Sequence, residues 1–133
     1  MPTIAVFGTF DTKGIEHGFL AETIRARGHK TWLINAGSLG GATIQADVSS
    51  EEVAAAGEED WRTVLARQDR GESVALMARA AAKYVARLAE SGRIQGIISL
   101  GGGGGTAIAT AAMRALPLGF PKVMVSTLAS GNT

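Results

Sequence analysis

The stretch IISLGGGGGTAIATAAMRAL (residues 97–116) decides the fold. A short apolar run leads into five glycines, a threonine and then alanine-rich sequence. The apolar run reads as a strand buried on both faces, and the alanine-rich stretch as a helix that Pro117 ends. Nothing separates the two except the glycines. A strand and a helix joined in this way form a βα unit of a parallel sheet. Five consecutive glycines lose more backbone entropy on folding than any other pentapeptide, so their place at a buried junction calls for a physical reason.

The same pattern extends outward from this junction. IQGIISL (94–100) is the strand itself. Before it, GESVALMARAAAKYVARLAESG (71–92) is a helix with Val74, Met77, Ala78, Ala81, Val85 and Leu88 on one apolar stripe and Gly92 just past its end. TIAVFG (3–8) reads as a strand buried on both faces, and KTWLIN (30–35) as a second strand. Between them, Ile15, Phe19, Leu20 and Ile24 recur at helical spacing after the loop TFDTKG, and Gly28 follows Arg25 and Arg27 as a stop. AGSLGGATIQADVSS (36–50) has no sustained period and reads as a long loop. Ser49 with Glu52 fits a capping box for a short helix ending at Gly57, and a second short helix holds Trp61, Val64 and Leu65. Downstream, a helix is expected from Thr106 to Leu116, and KVMVS (122–126) is the fourth strand. This alternation predicts an α/β, Rossmann-like, doubly wound fold. Its sheet is mainly parallel, in order 2-1-3-4, with helices on both faces and residues 1–133 forming a single domain.

Composition limits the function. The chain has 133 residues, 46% hydrophobic and 19% charged, with a formal net charge of +1. Neither charge sign forms a long run, which argues against nucleic acid or a membrane surface as partner. Cysteine is absent, excluding disulfides, thiolate catalysis and zinc–thiolate sites. MPTIAVFG is too short and too uncharged for a signal peptide, and no apolar run approaches the ~20 residues of a membrane span. A cytoplasmic domain is the expectation.

In the order 2-1-3-4 the switch point lies between the first and third strands, and ligands bind there, beyond the strand carboxyl ends. The loops at that point are GTFDTKG and GGGGGT. In the second, Gly101, Gly102, Gly103, Gly104 and Gly105 let backbone N–H groups converge on an anion, with a helix N-terminus behind them. Thr106 is placed to cap that helix or to give its hydroxyl to a phosphate oxygen. In the first, Gly8 precedes Thr9 and Thr12 with their hydroxyls. Lys13 is a mobile cation suited to phosphate, and Asp11 a hard oxygen for magnesium held through water. STLASGNT offers a third such loop, with Ser126, Thr127, Ser130 and Gly131, beside the alternative of an ordinary polar chain end.

Sharper motifs fail. A Walker A sequence needs a lysine where Thr106 stands. A dinucleotide fingerprint can be forced onto Gly102, Gly104 and Ala107, but the next strand ends at Ser126 without an acid for a ribose. The GGDGT loop of lipid and NAD kinases has its aspartate where Gly104 stands. His17 and His29 lack partners at ligand spacing and are expected at the surface or at helix ends. Trp32 and Trp61 are expected in the core or at an interface. Ser99 and Ser126 have no G-x-S-x-G elbow around them. Glu51, Glu52, Glu58, Glu59 and Asp60 read as a solvated acidic face.

Taken together, AVFGTFDTKGIEHGFLAETIRARGH, ADVSSEEVAAAGEED, RGESVALMARAAA and GIISLGGGGGTAIATAAMRALPLGFPKVMVSTLASGNT resemble the ATP-binding domain family typified by the tomato mosaic virus resistance protein, which has many uncharacterised bacterial members. The resemblance runs over the whole chain. It implies a Rossmann-like fold, ATP with magnesium as ligand, and members much longer than this chain, which would then be the N-terminal fragment of a larger protein. It places Gly8, Thr9, Asp11, Thr12 and Lys13 on the first loop, Gly101 to Thr106 on the second, and Ser126 to Thr133 on the third. Three positions depart from the family pattern: Gly103 or a neighbour replaces a serine, Asn35 stands where DVG begins, and Asn132 replaces the aspartate of ASGD. The expected function is a nucleotide-binding domain, with catalytic residues unassigned and a homo-oligomer covering the open sheet edge. The alternatives are an interaction module in which nucleotide is only structural, a phosphoryl-transfer or hydrolase enzyme completed by further chain, and a Rossmann redox or FMN domain.

Overall fold

A computed structural model describes residues 2–37, 42–58 and 60–127. The strands are β1 (Thr3–Gly8), β2 (Lys30–Asn35), β3 (Gly96–Gly101) and β4 (Lys122–Ser126). The helices are α1 (Phe10–Ala26), α2 (Ser50–Ala55), α3 (Trp61–Ala66), α4 (Arg70–Glu90) and α5 (Gly103–Arg114). All strand pairs are parallel and the order is β2-β1-β3-β4, so the doubly wound, Rossmann-like reading holds.

Alternation along the strands divides the core in two. Ala5, Phe7, Ile34 and Ile97 face α2, α4 and α5, where Leu76, Met77, Val85 and Ile108 complete the larger cluster. Val6 and Leu33 face α1, with Phe10 and Ala21. Helices therefore cover both faces, α1 alone on one of them.

The two largest differences from the expected helix boundaries both lie at the switch point. Helix α1 starts at Phe10, so most of TFDTKG is its first turn, with a break at Lys13 (φ −130°, ψ 31°). Helix α5 starts at Gly103, three residues before the expected Thr106, so the glycines are ordered backbone. Thr106 is thus inside the helix and does not cap it.

The buried face of α1 also differs. It consists of Phe10, Gly14, His17 and Ala21, while Ile15 and Phe19 are 76% and 71% exposed. Small residues decide this. A Cβ on Gly14 would lie 1.8 Å from the Thr43 hydroxyl. That hydroxyl and the Thr43 N–H both donate to the Phe10 carbonyl, at 2.8 and 2.9 Å. These two bonds tie the first turn of α1 to the segment that follows β2. Other features follow the sequence. Ser49 caps α2 through the Glu52 N–H, and Gly28 and Gly92 take positive φ just past α1 and α4.

Candidate phosphate-binding site

The strands β1 and β3 pair only from Ile4↔Gly96 to Val6↔Ile98, whereas β1 and β2 pair along all six residues. Beyond Val6 the first two diverge, and the crevice opens between their carboxyl ends. A cavity of about 210 Å³ occupies it. Thr9, Asp11, Thr12 and Lys13 line one wall and Gly102, Gly103, Gly104 and Gly105 the other. The structure thus brings together residues from the first two expected loops, some ninety positions apart.

The glycine run divides by role. None of the five has positive φ; among the described glycines, Gly28, Gly92 and Gly119 do. Gly101 is a packing requirement: a Cβ there would lie 2.8 Å from the Thr106 nitrogen and 3.0 Å from the Met124 methyl. Gly103 has open space where its Cβ would be, and at Gly104 and Gly105 the nearest atoms are 3.4 and 3.5 Å away, ordinary contacts with Val74 and Thr9. Packing therefore does not demand glycine at these three positions. What glycine does there is leave bare backbone on the cavity wall.

The helix ends point the same way. Helices α2, α3 and α4 are each capped by a side chain, from Ser49, Asp60 and Asp69. Helices α1 and α5, whose N-termini meet at the crevice, have no side-chain cap. The first intrahelical bond of α5 is Thr106 N–H to the Gly102 carbonyl, at 2.9 Å. That leaves the N–H groups of Gly103, Gly104 and Gly105 without helical acceptors, at the positive end of the helix dipole. At α1, the Thr9 hydroxyl is 2.9 Å from that of Thr12 instead of capping, and Asp11 accepts from the Thr12 N–H at 2.9 Å.

Other expected residues stand behind the wall. Gly8 is buried against the ring of His17. The hydroxyls of Thr106 and Ser126 bond to each other at 2.7 Å, tying α5 to β4. Thr127 donates its N–H to the Gly101 carbonyl at 3.1 Å. Ser130 and Gly131 lie outside the described residues.

Sequence reasoning missed Arg70, the first residue of α4, which lines the cavity with Val74 and Ile108. Its signal was a cation in a first helical turn, where the dipole favours an acid. Among the described residues neither Arg70 nor Lys13 is in an ion pair. Where the family pattern noted above begins with an aspartate, this chain has Asn35. Its Oδ1 accepts from the N–H groups of Phe10 (3.1 Å) and Gly37 (2.9 Å), holding the start of α1 over the end of β2.

Among the described residues, Asp11 is the one carboxylate on the cavity wall. Among the described residues, no three His, Cys, Asp or Glu side chains are grouped to hold a metal. That donor set suits a magnesium ion carried by phosphate oxygens and water with one carboxylate nearby, and does not suit an all-protein cage. A larger cavity, of about 530 Å³, lies at the opposite ends of the strands beside Arg25, Lys30, Trp32 and Arg93. Several of its cations sit at or just past helix C-termini, where they offset the dipole, and it has no comparable run of bare backbone.

Fold and crevice define the class: a Rossmann-like α/β domain with uncapped helix N-termini facing each other across its switch point. Residues 2–133 match the model of the uncharacterised protein family UPF0261, N-terminal domain, and the chain belongs to that family. It is 45% identical over 98% of its length to a UPF0261 protein of Clostridium tetani, and 46% identical over 99% to one of Rhizobium meliloti. It is also 30% identical, over 99% of its length, to the ToMV resistance protein Tm-1(GCR237) of Solanum lycopersicum. The chain spans about a third of the bacterial relatives, 32% of each, and a fifth of the tomato protein. No helix among the described residues is long and apolar enough to cross a membrane.

Proposed function

We propose that this domain binds a nucleotide, ATP with magnesium, by placing its phosphates in the crevice between α1 and α5. The observation that carries the reading is the first turn of α5. Three consecutive glycines begin a helix where packing leaves room for side chains, although each glycine disfavours a helix by up to about 1 kcal/mol relative to alanine. An anion bound by the exposed N–H groups accounts for that choice. Lys13 and Arg70 neutralise the phosphates from the other walls, and Asp11 faces the magnesium through water. At about 210 Å³ the cavity falls below the ~300 Å³ at which pockets for whole small molecules begin. It therefore takes the phosphates and leaves the nucleoside outside.

Calorimetric titration of MgATP into the protein tests this. Removing a charge-assisted contact, worth about 1.5–3 kcal/mol, in Lys13→Ala is expected to weaken binding roughly tenfold to a hundredfold. A folded, full-length protein that takes up no MgATP would overturn the proposal. The name of the tomato relative favours a second reading, in which the domain is an interaction module and nucleotide only orders the fold. Under that reading Lys13→Ala lowers thermal stability and partner affinity together.

A further inference from the structure

His17 lies in the second turn of α1 and is fully buried, against the expectation of a surface or helix-end role. Both ring nitrogens are engaged with backbone. Nδ1 is 2.7 Å from the Lys13 carbonyl oxygen, which can only accept, so Nδ1 carries the proton. Nε2 accepts the Leu100 N–H at 3.2 Å. The ring is therefore neutral and fixed as the Nδ1–H tautomer.

The position of the ring explains the crevice. Continued past Val6↔Ile98, the β1–β3 register would bring Gly8 opposite Leu100. The ring stands there instead: a Cβ on Gly8 would lie 2.2 Å from Nε2. Phe10 packs against it at a centroid distance of 5.2 Å. One bond holds the carbonyl of Lys13, the residue at which α1 breaks and the cation of the site. The other holds Leu100, immediately before the glycine run. A single side chain thus spans the two walls.

We propose that His17 is the positioning residue of the phosphate site, and that protonation of its Nε2 disables the site by breaking the bond from Leu100. This rests on the anion-binding reading of the crevice. A protonated Nε2 becomes a donor and opposes the Leu100 N–H, while the Phe7 backbone favours the charged ring. The start of the glycine run then loses its anchor. The ionisable groups acting on the ring are Glu16, which favours the charge, and Lys13, which opposes it. The strands β1 and β3, packed against it, carry no ionisable side chain. Burial is the largest influence and holds the ring below its ordinary value of 6.5, so it is neutral at pH 7 and charges on acidification.

The test uses His17→Gln, which retains an acceptor for Leu100, and His17→Asn, which retains a donor for Lys13. Neither titrates. MgATP and inorganic pyrophosphate are titrated into wild type and both variants between pH 8 and 5. If only the neutral ring supports binding, wild-type affinity relative to His17→Gln falls about tenfold for each pH unit below the ring's own midpoint. In parallel, NMR on the wild-type protein follows the ring nitrogens together with the amides of Lys13, Leu100 and Gly101–Gly105. The proposal expects an Nδ1–H ring whose titration those amides share. Amides indifferent to the ring, or an affinity ratio independent of pH, would overturn it. Amides that follow the ring in a protein that binds neither probe would sustain the positioning role while the anion reading fails. The NMR titration needs no variant, so the proposal stays open to refutation even if both substitutions unfold the chain.

Discussion

At the scale of single residues, the first turn of α5 separates folding from binding. Gly103 has negative φ and open space at its Cβ position, so Gly103→Ala is expected to stabilise the fold by roughly 0.4–1 kcal/mol. The same methyl enters the crevice, so MgATP affinity is expected to fall while the melting temperature rises, as calorimetry and thermal melts on one sample would show. Both moving the same way would contradict the role given to the glycines. The run was legible in the sequence because what matters there is the absence of side chains, which composition displays directly. His17 was not legible. A lone histidine announces nothing until its partner is known, and the Leu100 N–H lies 83 positions away. Arg70 gave one local sign, a cation in a first helical turn, but that it reaches the site depends on the path of α4 across the sheet.

At the scale of elements, the strands were legible because short continuous apolar runs need no phase: β1, β2 and β4 fall where those runs do, although Val123 and Val125 on β4 are about half exposed. Helix faces were harder. The large residues Ile15 and Phe19 suggested one stripe for α1, but the helix buries Ala21 against the sheet and Gly14 against Thr43 of the segment after β2, because small residues allow close approach and large ones prevent it. The start of α1 depends on Asn35 at the end of β2. Asn35→Ala leaves two N–H groups, those of Phe10 and Gly37, without their acceptor. It is expected to cost about 1–3 kcal/mol in urea unfolding. A larger loss of MgATP affinity than of stability would show that the substitution acts through the first turn of α1.

At the scale of the whole molecule, stability carries the signature of one buried ring. The unfolded chain takes up a proton on His17 near 6.5 and the folded chain only at a lower value. Stability is therefore fully present above pH 6.5 and declines as the pH falls through 6.5 toward the folded value. Thermal melts at pH 8, 7, 6 and 5 are expected to show this decline in wild type and a smaller one in His17→Gln. Equal declines would mean that other groups govern the acid response. The β1–β3 pairing joins Ile4 to Gly96, so the crevice is assembled from opposite ends of the described chain. On a ribosome, its first wall emerges long before its second. A nascent chain that has not yet released β3 and α5 has no place for an anion. Under the proposed reading, a ligand present during synthesis holds only the finished domain and draws the last folding step forward by mass action.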